Sequence, residues 1–163
     1  MPHIHLERDL PYPVSFIFDL VSQVEDYPEF LPFCEKLQVL DHRFEDGKEI
    51  LRAEMVVGYG WISERAQTIV TLDRDAGEIR IEKAPEEQSF VAMEALWTFR
   101  PIEGHSEKHE CHITFHMHCA MQNFYLNAIL ENVFSSLGSI FIATFEKRAA
   151  ALYEEYKNNT VLI

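Results

Sequence analysis

The chain has 163 residues, 47% of them hydrophobic, which suits one domain around one core and is too apolar for global disorder. With 27 acidic residues against 14 basic ones and a net charge of −13, it lacks the clustered cations that a phosphate backbone or an anionic bilayer surface would require. No apolar run reaches about 18 residues, so no segment reads as a membrane span; three cysteines without a CxxC pair exclude a zinc-finger or thioredoxin motif.

The N-terminal stretch MPHIHLERDLPYP has no apolar h-region, no small-residue cleavage site and no Arg/Ser-rich transit character, so the expected compartment is the cytoplasm. Within it HIHLER alternates, with Ile4 and Leu6 on one face and His3, His5 and Glu7 on the other, the pattern of a half-buried strand. YPVSFIFDLVSQVEDY follows as an amphipathic helix. Pro13 suits a first helical position, and Phe16, Ile17, Leu20, Val21 and Val24 recur at threes and fours. YPEFLPFCEKL, at 27–37, is different. Two prolines four apart do not make a regular helix, yet Phe30, Leu31 and Phe33 are too apolar for a free loop.

Six further strands follow at meander spacing. KLQVLDHRF and KEILRAEMVVGYG are joined by a turn at EDG, and Gly58 and Gly60 around Tyr59 suggest a bulge or a bend. WISERAQTIVTLD and GEIRIEKA are joined by RDAG; SFVAMEALWTFRPI and HECHITFHMHCAM are joined by EGHSEK. From Asn123 to about Asn158 the period becomes 3.6, with one stripe running from Leu126 through Leu130, Phe134, Leu137 and Phe141 to Phe145 and Tyr156. Such a helix is about 50 Å long, and Gly138 between two serines is the expected bend. A curved antiparallel sheet with one apolar face needs a cover, and only this helix is large enough. One domain over 1–158 with a short tail at 159–163 is expected. A gap should remain where the sheet curves more than one helix can fill.

Four stretches carry a family resemblance, in order across nearly the whole chain: VEDYPEFLPFC at 24–34, Gly58 between strands, WTFRP at 97–101 and FEKRAAALY at 145–153. The first resembles the YPxFLPxC signature of the coenzyme Q-binding and ribosome-association-toxin branch of the polyketide cyclase/dehydratase family, within the START-like superfamily. The others resemble that branch's inter-strand glycine, its WxFxP strand and its FxxRAxxLY helix end. The resemblance implies an α+β helix-grip fold (START-like, Bet v 1-like): a curved seven-stranded antiparallel sheet around a long C-terminal helix, with two short helices after the first strand.

It also implies a non-enzymatic protein that holds a hydrophobic ligand in an apolar cavity. In this branch the ligand is ubiquinone (coenzyme Q) or a related polyprenyl quinone, bound without a covalent cofactor by a carrier or chaperone supporting respiration and quinone biosynthesis. A peripheral position at the inner membrane goes with that role. Two alternatives stand beside it: a regulator that binds the large ribosomal subunit, and a polyketide cyclase/dehydratase enzyme. Where the branch often has a Gly-Pro-Phe-Lys-like turn before the WxFxP strand, this chain has APEEQSF. Glu86 and Glu87 there, with the acidic balance, weigh against the ribosome and against nucleic acid.

Strand parity, the helix stripe and the resemblance together assign Phe30, Leu31, Phe33, Tyr59, Trp97, Phe99, Phe134, Leu137 and Phe141 to the cavity lining. Phe124, Ile129, Ile140 and Ile142 lie beside or behind the main helix stripe, an extra surface for the short helices, a second subunit or transient membrane contact. No catalytic residue is assigned, since no GxSxG, HExxH or P-loop occurs and Arg52, Glu54, Glu64 and Arg65 read as cross-strand ion pairs. No metal site is assigned either. His112, His116 and His118 share a strand face opposite Ile113, Phe115 and Met117, which turns them outward beside His3 and His5 as a surface patch. Cys34, Cys111 and Cys119 read as buried free thiols; Cys111 and Cys119 lie about 26 Å apart along one strand, too far to bridge.

Overall fold

Seven alternating segments become seven strands in the computed structural model, which describes residues 3–31, 33–102 and 110–161. The order is β1 (His3–Leu10), α1 (Val14–Ser22), a 3-10 helix (Val24–Glu29), β2 (Cys34–Glu45), β3 (Lys48–Tyr59), β4 (Ile62–Asp73), β5 (Glu78–Lys83), β6 (Phe90–Pro101), β7 (Cys111–Met121) and α2 (Phe124–Val161). The expected EGHSEK turn, His109, Pro32 and residues 162–163 of the expected tail lie outside the described residues.

All strand pairs are antiparallel, in the order β1-β7-β6-β5-β4-β3-β2. The architecture is thus the α+β helix-grip arrangement, with β1 and β2 at opposite edges and α1 and the 3-10 helix bridging between them. Alternation places Ala53, Ala66, Val70, Ala95, Trp97, Ile113 and Phe115 inward, all buried. Tight turns set the register. Asp46 (φ 52°) and Gly47 (φ 78°) form a two-residue loop with both central residues left-handed, the geometry that an Asp-Gly pair favours.

Three sequence expectations change. The predicted helix over 12–27 stops at Ser22 and continues after Gln23 as the 3-10 helix, because Pro28 removes a donor that a longer α-helix would need. The bulge expected near Tyr59 lies on the neighbouring strand: β2 shifts register between Cys34 and Lys36, opposite Val57 and Val56, while the β3–β4 register is unbroken to Tyr59↔Ile62 and Gly60 (φ 64°) with Trp61 makes the loop. The bend in α2 is a 75° turn between Phe124–Phe134 and Ser136–Asn158, just ahead of Gly138 in a serine-rich run of the kind where helices kink.

Gly138 instead brings α2 against the edge strand. A Cβ there would stand 2.6 Å from Ile4 Cγ2 and 2.7 Å from Leu6 Cδ1. The C-terminal end of α2 is held to α1 by an aromatic cluster in which Phe16 lies 5.0 Å from Tyr153 and 4.8 Å from Tyr156, centroid to centroid. Such pairs add about 0.5–1.5 kcal/mol each beyond their burial. No single helix among the described residues is long and apolar enough to cross a membrane.

The β1–β7 register sets His3 opposite His118, His5 opposite His116 and Asp9 opposite His112. His5 Nδ1 lies 3.0 Å from His116 Nε2, and His112 Nδ1 donates to Asp9 Oδ1 at 2.6 Å. Among the described residues no group of three or more His, Cys, Asp or Glu is arranged to hold a metal ion. The hydrogen bond to Asp9 raises the His112 pKa, and Glu7 reinforces the effect. A raised imidazole pKa contributes stability that is complete below about pH 6.5 and fades as pH climbs through the folded value.

Two outcomes follow. Gly138→Ala gains about 1 kcal/mol of helix propensity but forces a methyl onto Ile4, where overpacking costs about 1–3 kcal/mol. Urea unfolding should therefore show a net loss, and a more stable variant would mean that β1 and α2 part freely. His112→Thr should cost more thermal stability at pH 5.5 than at pH 7.5, since the pairing with Asp9 favours the charged ring. An equal cost at both pH values would show that this pairing does not set the acid response.

Candidate functional site

Under α2 the inward positions in the middle of the sheet are small. Ala53 on β3, Thr68 on β4 and Ala95 on β6 occupy places where a leucine or isoleucine would reach the helix. The space left over is an internal cavity of about 160 Å³. Its roof is both arms of α2: Leu126, Ile129, Leu130 and Val133 before the turn, and Leu137, Phe141 and Phe145 after it. Four methionines, Met55, Met93, Met117 and Met121, line it as well. These are unbranched, polarizable side chains that reshape around a guest at low cost.

The irregular stretch after the 3-10 helix closes one end. Leu31 and Phe33 line the cavity, and Phe33 does so from a left-handed backbone (φ 68°), a conformation uncommon for a bulky residue. Its ring lies 5.6 Å from that of Tyr59, and its carbonyl accepts from Gly58 N–H at 3.0 Å. At this closure a Cβ on Gly58 would lie 3.1 Å from the Ile62 carbonyl oxygen and 1.5 Å from Glu35 Oε1, so the flexible Glu35 side chain would have to move aside. Arg148 fastens the same segment to α2. Its guanidinium pairs with Glu29 at 2.8 Å and covers the Phe30 ring at 5.2 Å.

Of the residues expected to line the cavity, Leu31, Phe33, Tyr59, Trp97, Leu137 and Phe141 do so. Tyr59 is 53% exposed and stands at the rim. Phe30, Phe99 and Phe134 lie elsewhere. Phe30 packs edge-on against Phe145 at 5.1 Å, on the far side of the closing segment. Phe99 faces inward like Trp97, but two residues further along β6 it meets Phe18 of α1 at 5.3 Å. Phe134 ends the first arm of α2, where the turn carries it into the core and away from the cavity.

The expected ion pairs are redistributed too. Arg65 pairs with Glu54, whereas Arg52 pairs with Glu86 in the turn before β6 and Glu64 accepts from Asn123. Glu87 closes that turn. Burial pulls its pKa upward, but bonds from the backbone N–H groups of Gln67 and Ser89 outweigh this and hold the carboxyl below the usual range.

Sequence reasoning missed Thr68, the methionines and the two cavity thiols. Strand parity alone places Met117 and Cys119 with Phe115, and the small inward residues mark the space. Burial pushes Cys34 up to about 11 and Cys119 up to about 12, so both are protonated and unreactive at neutral pH. Tyr27, raised by burial and then by nearby Cys34, donates its hydroxyl to the Val21 carbonyl. No carboxylate, histidine, lysine or arginine lines the cavity among the described residues. The arrangement can enclose an apolar molecule; it offers no paired acid and base.

Comparison with known proteins agrees with this geometry. A START superfamily protein from Mycobacterium smegmatis superposes with a TM-score of 0.71 at 15% identity, covering 92% of this chain and 98% of that one, which places the fold as START-like. The ribosome association toxin RatA of Pseudomonas aeruginosa is 34% identical over 152 residues, 93% of this chain and 97% of that protein. The mitochondrial coenzyme Q-binding protein COQ10 of Dictyostelium discoideum is 28% identical over 152 residues, 91% of this chain and 69% of that protein. The family model for polyketide cyclase / dehydrase and lipid transport matches residues 10–146, and the chain belongs to that family.

Proposed function

We propose that the protein binds a polyprenyl quinone of the ubiquinone class and acts as its carrier or chaperone, without catalysing a reaction on it. The observation that carries this reading is the cavity: about 160 Å³, enclosed by aliphatic, aromatic and thioether side chains. An apolar cavity of about 150 Å³ holds one benzene-sized ring. The space therefore takes the six-membered ring of a quinone head, with the ring substituents and isoprenoid tail displacing methionine side chains or leaving past Tyr59 at the rim. The similarity to the coenzyme Q-binding protein supports the same ligand class.

Around that end of the molecule Trp61, Phe124 and Tyr125 are exposed beside Tyr59, and Asn123 Nδ2 donates to Glu64 Oε1 at 3.1 Å, tying the start of α2 to β4. Aromatic side chains suit the interface of a bilayer. In this reading the collar meets the membrane surface transiently while the ligand crosses, and the protein works as a peripheral cytoplasmic carrier.

A second reading, ribosome binding, is favoured by the similarity to RatA. Charge opposes it. All eight arginines pair with carboxylates, which leaves few free cations to release counterions from RNA. A polyketide cyclase or dehydratase reading has the family description behind it, but the lining provides no acid or base for enolate chemistry.

The two tryptophans supply the test. Trp97 is 3% exposed in the cavity and Trp61 is 91% exposed at a loop tip, so Trp61→Phe leaves one indole as an internal reporter. Decylubiquinone should quench it saturably at micromolar concentrations; quenching that never saturates would end the quinone reading. In sedimentation with large ribosomal subunits at about 0.15 M salt the protein should stay in the supernatant, and saturable co-sedimentation would establish the second reading instead.

A further inference from the structure

We infer that Thr68 is the polar contact that orients the ligand in the cavity, its hydroxyl donating a hydrogen bond to a carbonyl oxygen on the ring. The inference rests on the quinone reading of that cavity and goes beyond it in naming the atom that selects an oxygenated ring over a plain hydrocarbon.

Thr68 is the one polar or charged residue buried among the described residues, at 2% exposed. It points inward on β4 between Ala66 and Val70. Across the ladder it faces Ala53 on β3, a side chain too short to cover it and without a polar atom. Ala66 and Val70 beside it and Ala53 across from it have no side-chain polar atom to offer its hydroxyl, and the residue borders the cavity. A hydroxyl facing apolar space without a partner costs the free protein stability. The other hydroxyls and thiols of the lining serve less well. Tyr27 already donates to Val21, Tyr59 stands at the wet rim, and thiols are weak donors.

The chemistry specifies the ligand class. A threonine hydroxyl can donate to the carbonyl of a quinone and can also accept from the hydroxyl of the reduced ring. A hydrocarbon of the same size leaves it unsatisfied. A site built around one buried hydroxyl therefore discriminates by oxygen on the ring and not by shape alone.

The test uses Thr68→Val, which keeps the shape and removes the hydroxyl, and Thr68→Ser, which keeps the hydroxyl, each in the Trp61→Phe background. The probes are decylubiquinone, read by Trp97 quenching, and decylbenzene, read by displacement of the quinone. Thr68→Val should weaken decylubiquinone by about 3- to 10-fold and leave decylbenzene as tight as in the parent or tighter. Thr68→Ser should stay within about twofold of the parent. The ligand-free valine variant should melt about 2–4 °C higher, since a buried hydroxyl among apolar side chains has been removed. Equal quinone affinity in valine variant and parent would overturn the inference while leaving the quinone reading intact. A lowered melting temperature with both probes weakened would assign Thr68 a structural role and overturn it as well. Failure of the parent itself to bind decylubiquinone would remove the quinone reading, and this inference with it.

Discussion

The close approach of α2 to β1 at Gly138 is the constraint on which the cavity depends. Where the helix has no side chain it lies against Ile4 and Leu6 of the edge strand. It then turns by 75°, so its first arm runs over the concave sheet at an angle of its own. A straight helix lying on a sheet this curved would touch it at one place only. The bent helix touches β1 with its second arm, and both arms roof the middle of the sheet. Because Ala53, Thr68 and Ala95 lie beneath, contact there is incomplete and a cavity persists. Larger side chains would fill it with favourable packing, so the empty volume is a stability cost that the fold carries.

The same economy governs the closing segment. A regular helix continued through residues 24–33 would turn its apolar side chains in one direction. The prolines break it, and the left-handed Phe33 lets Leu31 and Phe33 face the cavity while Phe30 faces Phe145. The segment is held by a few discrete contacts: Phe33 to Gly58, Phe33 to Tyr59, and Arg148 to Glu29. Arg148 Nε is buried without a hydrogen-bond partner, which lowers the net worth of that tie. Segments with few buried contacts open at lower free-energy cost than core strands do, which suits the entrance of a carrier.

Electrostatics divides the molecule in two. The outer face of the sheet carries cross-strand ion pairs, the imidazole pairs and the acidic turn at Glu86 and Glu87. The interior carries one buried polar residue and thiols held protonated by burial. An apolar guest enclosed there meets neither a nucleophilic thiolate nor a titrating base, which fits the proposed quinone ligand.

The sequence by itself determined the seven strands, a helix after the first of them, the long C-terminal helix and the inward and outward faces, because each follows from local periodicity and turn chemistry. It also determined, through YPEFLPFC, WTFRP and FEKRAAALY, the family. Parity was enough to turn the histidines of β1 and β7 outward and Trp97 inward; the pairing of His5 with His116 came from the register. Three features came only from tertiary structure. Phe30, Phe99 and Phe134 were assigned to the cavity because apolar stripes were extended across a break, a helix neighbour and a bend, none of which periodicity registers. Gly138 looked like the kink and proved to be the point of contact with β1, a distinction that requires knowing what lies opposite. Thr68 was invisible among β-branched neighbours, since threonine suits any strand. Only the packing around it shows that it borders the cavity among side chains without a polar atom.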